Sequence, residues 1–108
     1  MEWYTAIAYF FAGVFFANGV PHFVQGTSGT RFQSPFASPP GVGESSPLVN
    51  VVWGLANFCF GYLLLAAVGD FRPGVTVDSL LVGVGMLAMG IFCASHFGKV
   101  RNHSGTIS

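Results

Sequence analysis

Three long runs of the chain contain no charged residue: residues 3–30, 45–69 and 79–98. Each run is mostly apolar and can supply the roughly 20 helical residues that cross a hydrocarbon core of about 30 Å. Because lipid offers the backbone no hydrogen-bond partners, a segment that crosses it pairs its own N–H and C=O groups as a helix. The pattern therefore predicts an all-α bundle of three transmembrane helices, forming one domain over residues 1–108.

Signals at the ends of these runs place the three helices at about 3–24, 47–68 and 77–97. The second helix has the clearest start, because Ser46 offers a hydroxyl N-cap and Pro47 occupies the first helical position. These lengths agree with the thickness of a bilayer, so local signals and hydropathy predict the same segments.

Three further signals concern the helix ends and the order of packing. Pro21 falls in the last predicted turn of the first helix, where proline bends or ends a helix. Thr76 or Asp78 can cap the third helix. Because only the short link Gly69–Thr76 joins the second and third helices, we expect these two to pack as an antiparallel pair.

The connection between the first two helices, residues 25–46, is a 22-residue stretch rich in Gly, Pro, Ser and Thr. Loops of this length without their own secondary structure are usually functional or disordered. Phe32 and Phe36 predict that this loop stays near the membrane interface. It is either a plain connector or a lid or docking surface, and residues 99–108 are expected to form a polar tail.

The composition agrees with a membrane protein and excludes several other classes. Charged residues make up 7% of the 108 positions, hydrophobic residues make up 52%, and the mean hydropathy is +0.62. An average soluble domain has about 25% charged residues. The chain therefore has too few polar groups for a soluble or disordered protein, and it lacks the basic stripe of a nucleic-acid-binding protein.

The few basic residues predict an orientation. With three crossings, Arg31, Lys99 and Arg101 lie on one side of the membrane and only Arg72 lies on the other. Since the side richer in Lys and Arg is usually cytoplasmic, we expect the long loop and the C-terminus inside and the N-terminus outside. The expected location is the inner membrane of a bacterium.

Neutral polar side chains recur at helical spacing inside the three runs. Two of them lie four residues apart near the end of the first helix, and three share one face of the second helix. Polar groups within spans are expensive, so they are the natural candidates for a site. The candidate cluster consists of Asn18, His22, Asn50, Trp53, Asn57 and His96.

The predicted topology brings His22, Asn50 and His96 to a similar depth beneath the long loop, with Asn57 one to two turns deeper. One interpretation is structural, since Asn side chains commonly form hydrogen bonds between membrane helices. A second is a ligand pocket roofed by the loop. A haem or metal site at His22 and His96 is a weaker alternative, because metal sites usually supply three or four ligands. No metal or other cofactor is predicted.

Small residues at helical spacing predict close helix packing, either within the bundle or between copies. They fall on one face of the second helix and one face of the third. The candidate packing face consists of Gly54, Gly61, Gly83, Gly90 and Ala94.

These features rank the possible functions. The three runs contain no Asp, Glu, Lys or Arg, which argues against ion-coupled transport. No activated nucleophile or acid–base pair is evident, so no catalytic residue is predicted and an enzyme is not expected.

The leading hypothesis is an accessory or interaction subunit, or a homo-oligomer, whose partners are the lipid bilayer and a second copy or another membrane subunit. The alternatives are a neutral-solute transporter or channel formed by oligomerisation, and a ligand- or haem-binding protein.

Three stretches look like those of small bacterial membrane proteins: NGVPHFVQG, SPFASPPGVG and VNVVWGLANF. This resemblance implies no activity, and no property is carried over from it.

Overall fold

The computed structural model describes residues 1–102, and its regular structure is mostly helical. Each of the three helices is long and apolar enough to cross a membrane, which confirms that part of the prediction. Residues 103–108, most of the predicted polar tail, lie outside the described residues. The elements are α1 (Trp3–Thr27), β1 (Phe32–Gln33), β2 (Glu44–Ser45), α2 (Pro47–Ala67) and α3 (Val77–Arg101).

The predicted start signals of α2 and α3 are confirmed. The Ser46 hydroxyl accepts a hydrogen bond from the Val49 N–H at 3.2 Å, and Pro47 is the first helical residue. At α3, the Thr76 hydroxyl accepts one from the Ser79 N–H at 3.2 Å, so Thr76 is the cap. Each cap pairs a backbone donor that the first helical turn leaves free.

The prediction that Pro21 ends or bends α1 in its last turn is wrong about the end, because the helix continues to Thr27. Packing explains the extension. Gly26 lies so close to the start of α2 that an added Cβ would be 2.6 Å from the Pro47 carbonyl oxygen. Contact with α2 therefore holds the turn after the proline in helical form, although Pro21 donates no backbone hydrogen bond.

Gly29 ends α1 in place of Pro21. Its φ of +75° lies in the left-handed region that glycine adopts without strain. The N–H of Gly29 donates to the Gly26 carbonyl at 3.0 Å, and that of Thr30 donates to the Gln25 carbonyl at 2.9 Å. These two bonds form a Schellman cap, which satisfies carbonyls of the last helical turn.

The predicted end of α3 at about residue 97 is also too early, since the helix continues to Arg101. Contacts with the loop account for the extra turn. The Arg101 guanidinium donates to the Gln33 side-chain oxygen at 3.1 Å and lies 5.1 Å from the centre of the Phe32 ring. The last turn of α3 is thereby held against β1.

The expectation that α2 and α3 pack against each other as an antiparallel pair is wrong. α1 packs extensively against both α2 and α3, while α2 and α3 scarcely touch each other. The link between them passes over the first half of α1, where Phe71 lies edge-on to the buried Tyr9 ring at 5.4 Å and Gly69 approaches the Tyr9 hydroxyl. The short link joins α2 and α3, which are consecutive in sequence. In space it passes across α1, which lies between them.

Glycines on two faces of α1 explain its central position. A Cβ on Gly19 would be 2.8 Å from the Gly54 carbonyl oxygen of α2, and a Cβ on Gly54 would be 2.9 Å from that of Gly19. On the other face, a Cβ on Gly13 would collide with the Val82 carbonyl of α3. Small residues let helix backbones approach closely, so α1 accepts a neighbour on each side.

The residues of the predicted packing face fall in two different environments. Gly54 and Gly61 both contact α1, whereas Gly83, Gly90 and Ala94 lie on an exposed face. The contact between α3 and α1 uses another residue, Gly85, whose added Cβ would collide with the Phe10 carbonyl. The sequence contains glycines on two faces of α3, and only the tertiary structure shows which of these faces packs against α1.

The 25–46 segment contains structure that the sequence did not predict. β1 and β2 pair antiparallel, with Phe32 opposite Ser45 and Gln33 opposite Glu44, and fold the segment into a hairpin-like roof. Phe32 is 3% exposed and packs beneath this roof, whereas Phe36 is 64% exposed. Only one of the two phenylalanines is therefore available to the interface. From here on, residues 28–46 are called the roof loop.

Candidate functional site

Polar side chains lie inside the bundle, and large apolar side chains lie outside. Asn50 and Asn57 are 0% exposed and His22 is 2% exposed, although all three are on the most apolar segments of the chain. The outer surfaces of α2 and α3 carry exposed side chains such as Leu48, Val52, Leu55, Leu63, Leu80 and Leu87.

Asn50 connects the roof loop to the helices. Its amide nitrogen lies 3.1 Å from the carbonyl oxygen of Phe32, 3.2 Å from that of Ser45 and 3.1 Å from that of Ser46. Its side-chain oxygen lies 2.8 Å from His22 Nδ1. A flipped amide would set an oxygen against three carbonyl oxygens, so the hydrogen bonds determine the orientation. The Asn50 oxygen therefore accepts, and His22 Nδ1 donates.

The His22 ring is enclosed by aromatic side chains. Its ring centre lies 5.4 Å from that of Phe32, 6.4 Å from Trp53 and 5.8 Å from Phe97, each in an edge-on arrangement. In the neutral imidazole only one nitrogen carries a hydrogen. With Nδ1–H bonded to Asn50, the lone pair of the neutral ring lies on Nε2.

Two asparagines connect α1 and α2 deeper in the bundle. The Asn18 amide donates to the Asn57 side-chain oxygen at 3.0 Å, and the Asn57 amide donates to the Trp53 carbonyl at 2.8 Å. The Cys93 thiol of α3 lies 3.8 Å from the Asn18 oxygen. This is the interhelical hydrogen bonding expected of asparagine in a membrane bundle, and it agrees with the structural interpretation of Asn57.

His96 holds the tip of the roof loop against α3. Its Nε2 donates to the Gly41 carbonyl at 2.7 Å, and its ring stacks on that of Phe92 at 5.6 Å, nearly parallel at 3°. Gly41 has a φ of +75°, so the turn at the loop tip suits glycine. The loop is thus attached to α2 through Asn50 and to α3 through His96.

A cavity of about 350 Å³ lies beneath the roof loop, between the ends of the helices. Its volume is at the lower end of the range for small-molecule sites, about 300–1,000 Å³. Most of its wall is apolar or aromatic, and no Asp, Glu, Lys or Arg is among the lining residues. The lining residues are Asn18, His22, Gln33, Ser34, Pro35, Pro40, Gly41, Trp53, Phe92, His96 and Phe97.

Trp53, one of the residues that line this cavity, carries a hydrogen-bond donor without a partner. Its indole Nε1–H is buried and is the one buried side-chain nitrogen or oxygen among residues 1–102 that has no partner. Buried polar groups in folded proteins nearly always have partners, and leaving one unpaired costs roughly 1–3 kcal/mol. The Trp53 N–H is therefore an exception among the buried polar groups of residues 1–102.

The structure brings most of the predicted cluster together around this cavity. Asn18, His22, Trp53 and His96 line it, while Asn50 lies behind His22. Asn57 is not among the lining residues; it lies deeper, as expected, and bonds to Asn18.

Sequence reasoning missed the contributions of the loop and of two phenylalanines. Phe92 lies four residues before His96 and Phe97 directly follows it, so helical spacing alone could have included Phe92. The Gly41 carbonyl and the Gln33 side chain had no comparable signal, because their positions depend on how the loop folds.

Each of the two histidines is bonded through one ring nitrogen, His22 to the Asn50 side chain and His96 to the Gly41 carbonyl. Among residues 1–102, no group of three or more His, Cys, Asp or Glu side chains is arranged to hold a metal ion. A metal at the cavity would therefore depend on the two imidazoles and on groups from outside residues 1–102.

Comparison with known proteins supplies no functional information, since no family model, no curated protein and no solved structure matches the chain. Function has to be argued from the geometry and chemistry of the site.

Proposed function

We propose that the protein is an integral membrane protein whose three helices cross the bilayer of a bacterial inner membrane. The support is the distribution of side chains: buried asparagines and histidine inside, and exposed leucines and valines along α2 and α3. Soluble monomers rarely expose apolar patches larger than a few hundred Å². The charged residues lie at the ends of the helices and in the links.

The proposed orientation has the roof loop and the C-terminus in the cytoplasm, because Arg31, Lys99 and Arg101 lie on that side. We expect a reporter fused after Ser108 to give a cytoplasmic signal. A reporter fused after Gly74, in the exposed link between α2 and α3, is the matched control and should give a periplasmic signal. Reversed signals would overturn the orientation, and two signals from the same side would overturn the three crossings.

We propose that the protein binds a small uncharged molecule in the cavity beneath the roof loop. One observation carries this proposal: the cavity has a ligand-sized volume, a largely aromatic wall and a few polar side chains, among them Asn18, His22 and His96. A largely apolar pocket with a few convergent polar groups is the usual form of a small-molecule site.

The wall of the cavity favours an uncharged ligand. No Asp, Glu, Lys or Arg lines it, so an ionised ligand would have no counter-charge there. An unpaired charge in apolar surroundings costs far more than the few hydrogen bonds available could offset. A carrier of neutral solutes would use the same cavity and would additionally have to detach the roof loop from Asn50 and His96.

The proposal can be tested with compounds of one shape and different charge. Benzyl alcohol and ethylbenzene are uncharged, and benzylammonium has nearly the same shape with a positive charge. In lipid nanodiscs, we expect the uncharged compounds to raise the thermal unfolding midpoint of the protein and the ammonium compound to leave it unchanged, since only a bound ligand stabilises the folded state.

Two variants locate the binding. Phe97→Trp adds atoms to the cavity wall and should remove the ligand-dependent shift. Phe60→Trp adds the same atoms on the outer face of α2, where Phe60 is 43% exposed, and should retain it. The same shift in both variants, or stabilisation by the ammonium compound alone, would contradict the proposed site.

A second candidate, an interaction subunit or homo-oligomer, is favoured by the exposed small-residue face of α3. Gly83 and Gly90 have nothing within 4 Å of an added Cβ, and Ala94 is also exposed. The Asn-bearing face of α2 no longer supports this candidate, because Asn50 and Asn57 are fully buried within the chain. The proposed contact with another subunit is therefore limited to α3.

A further inference from the structure

Two arginines line an open groove between the roof loop and the last turn of α3. We infer that this groove binds a phosphate diester with a single negative charge, the group found in the headgroup of an anionic phospholipid. The inference is independent of the ligand proposed for the cavity beneath the roof loop, because the groove and that cavity share only Gln33 among their lining residues.

The groove has a volume of about 760 Å³, which is large enough for a phosphate group with its substituents. Arg31, Gln33 and Glu44 line it from the roof loop, and Arg101 lines it from α3. Val42 of the roof loop, which is 46% exposed, adds an apolar contact. Charged groups from two distant parts of the chain therefore meet in one accessible place.

Arg101 is already oriented in this groove. Its guanidinium donates to the Gln33 side-chain oxygen at 3.1 Å and lies 5.1 Å from the centre of the Phe32 ring. A guanidinium carries five N–H donors, so the single bond to Gln33 does not exhaust its capacity. Since these contacts hold the side chain in place, an anion that binds it costs less side-chain entropy.

Arg31 is the second cationic group, and its bond to Glu44 is weak. Arg31 Nε lies 4.0 Å from Glu44 Oε1, which is longer than a hydrogen bond, and the two side chains are 63% and 46% exposed. Exposed pairs of this kind contribute little to stability. Arg31 can therefore turn to a phosphate, which a guanidinium binds through two parallel N–H bonds.

The charges of the lining side chains favour an anion with one negative charge. Arg31 and Arg101 supply two positive charges and Glu44 supplies one negative charge, so the net charge of the groove is +1. A phosphate diester carries a single negative charge at neutral pH and matches this value. A phosphate monoester carries up to two, and its second charge would meet the Glu44 carboxylate without a counter-charge.

The position of the groove favours a lipid as the source of the diester. Arg31 follows the end of α1 and Arg101 lies in the last turn of α3, so both lie where these helices leave their apolar segments. If the helices cross the bilayer as proposed, this level is that of the phospholipid headgroups. Basic pockets at the cytoplasmic ends of membrane helices are typical sites for anionic headgroups.

The test measures binding by native mass spectrometry of the full chain in an uncharged detergent. Dioleoyl phosphatidylglycerol carries the diester with a net charge of one, and dioleoyl phosphatidylcholine has the same chains and diester with a compensating ammonium group. Glycerophosphoglycerol supplies the anionic headgroup without acyl chains. We expect phosphatidylglycerol to bind more tightly than phosphatidylcholine, and added salt to reduce the difference.

Four variants locate the binding. Arg31→Gln and Arg101→Gln should each weaken the binding of phosphatidylglycerol about fivefold, and Glu44→Gln, which removes the opposing charge, should strengthen it by a similar factor. Lys99→Gln is the matched control, because Lys99 is an exposed cation on the same turn of α3 and does not line the groove. Its affinity should remain unchanged. Arg31→Gln leaves the contacts of Arg101 intact, so the test survives if Arg101→Gln loosens the end of α3.

Equal binding of the two lipids, or equal losses in Arg31→Gln and Lys99→Gln, would overturn the inference. Weaker binding in Glu44→Gln would also contradict it. Failure of glycerophosphoglycerol to bind, together with binding of phosphatidylglycerol, would support a lipid as the source, whereas equal affinity of the two would support a water-soluble diester. None of these outcomes bears on the ligand-dependent shift in Phe97→Trp, so failure of this site and failure of the proposed function are distinguishable.

Discussion

Replacing Gly85 with leucine is expected to separate α3 from α1 and to lower the free energy of unfolding by at least about 3 kcal/mol. The backbones of the two helices are in contact here, and even a Cβ at position 85 would collide with the Phe10 carbonyl. A carbonyl in the middle of α1 has no freedom to move aside, so relief requires the whole of α3 to shift. Unfolding in mixed detergent micelles measures the loss.

A thiol pair gives an independent measure of helix separation. The Cys93 sulfur lies 3.8 Å from the Asn18 side-chain oxygen, so Asn18→Cys with Cys59→Ser should form a disulfide with Cys93 on oxidation. Adding Gly85→Leu should abolish this cross-link. An undiminished cross-link together with unchanged stability would show that α3 does not dock through Gly85.

Gly90→Leu is the matched control on the same helix. Its Cβ meets nothing within 4 Å, so the stability of the monomer and the cross-link should be unchanged. The same variant tests the second candidate function, the interaction subunit or homo-oligomer. The measurement is the mass of the protein–detergent complex. Loss of an oligomer in Gly90→Leu would support association through the exposed face of α3, and a monomer already in the wild type would contradict it.

Asn50→Leu is expected to release the roof loop and to destabilise the protein by about 3–5 kcal/mol. The substitution keeps the volume of the side chain but removes the hydrogen bonds to three carbonyls and leaves the buried His22 N–H without an acceptor. Buried groups left unpaired cost roughly 1–3 kcal/mol each. Hydrogen exchange of residues 32–46 should accelerate, because local opening of the loop no longer breaks these bonds.

Asn57→Leu provides the comparison. It removes two hydrogen bonds at a fully buried position deeper in the bundle, and polar bonds between membrane helices average about 0.6 kcal/mol. We expect a loss of about 1 kcal/mol with unchanged exchange in the roof loop. Equal effects of the two substitutions on loop exchange would show that Asn50 has no special role in holding the roof.

The candidate site was partly predictable because polar side chains in an apolar segment are easily recognised. His22 and Asn50 were expected at one depth, and they form a hydrogen bond of 2.8 Å. The partners of Asn50 were not predictable, since a backbone carbonyl such as that of Phe32 is present at every residue and carries no signal in the sequence. The bond from His96 to the Gly41 carbonyl had no signal for the same reason.

The sequence by itself determined the number of helices and the starts of α2 and α3. These features depend on local chemistry: uncharged runs of sufficient length and cap residues such as Ser46 and Thr76. The ends of α1 and α3 were less certain, because contacts with α2 and with the roof loop extend both helices beyond their local signals.

Only the tertiary structure decided which helices pack together and where a cavity forms. α1 is central because Gly13 and Gly19 allow backbone contact on two of its faces, and the sequence offered equally plausible glycines on the exposed face of α3. The roof loop closes over the helix ends through bonds to Asn50 and His96 from residues far away along the chain. Local spacing shows which side chains share a face, but the choice of neighbour depends on contacts between distant segments.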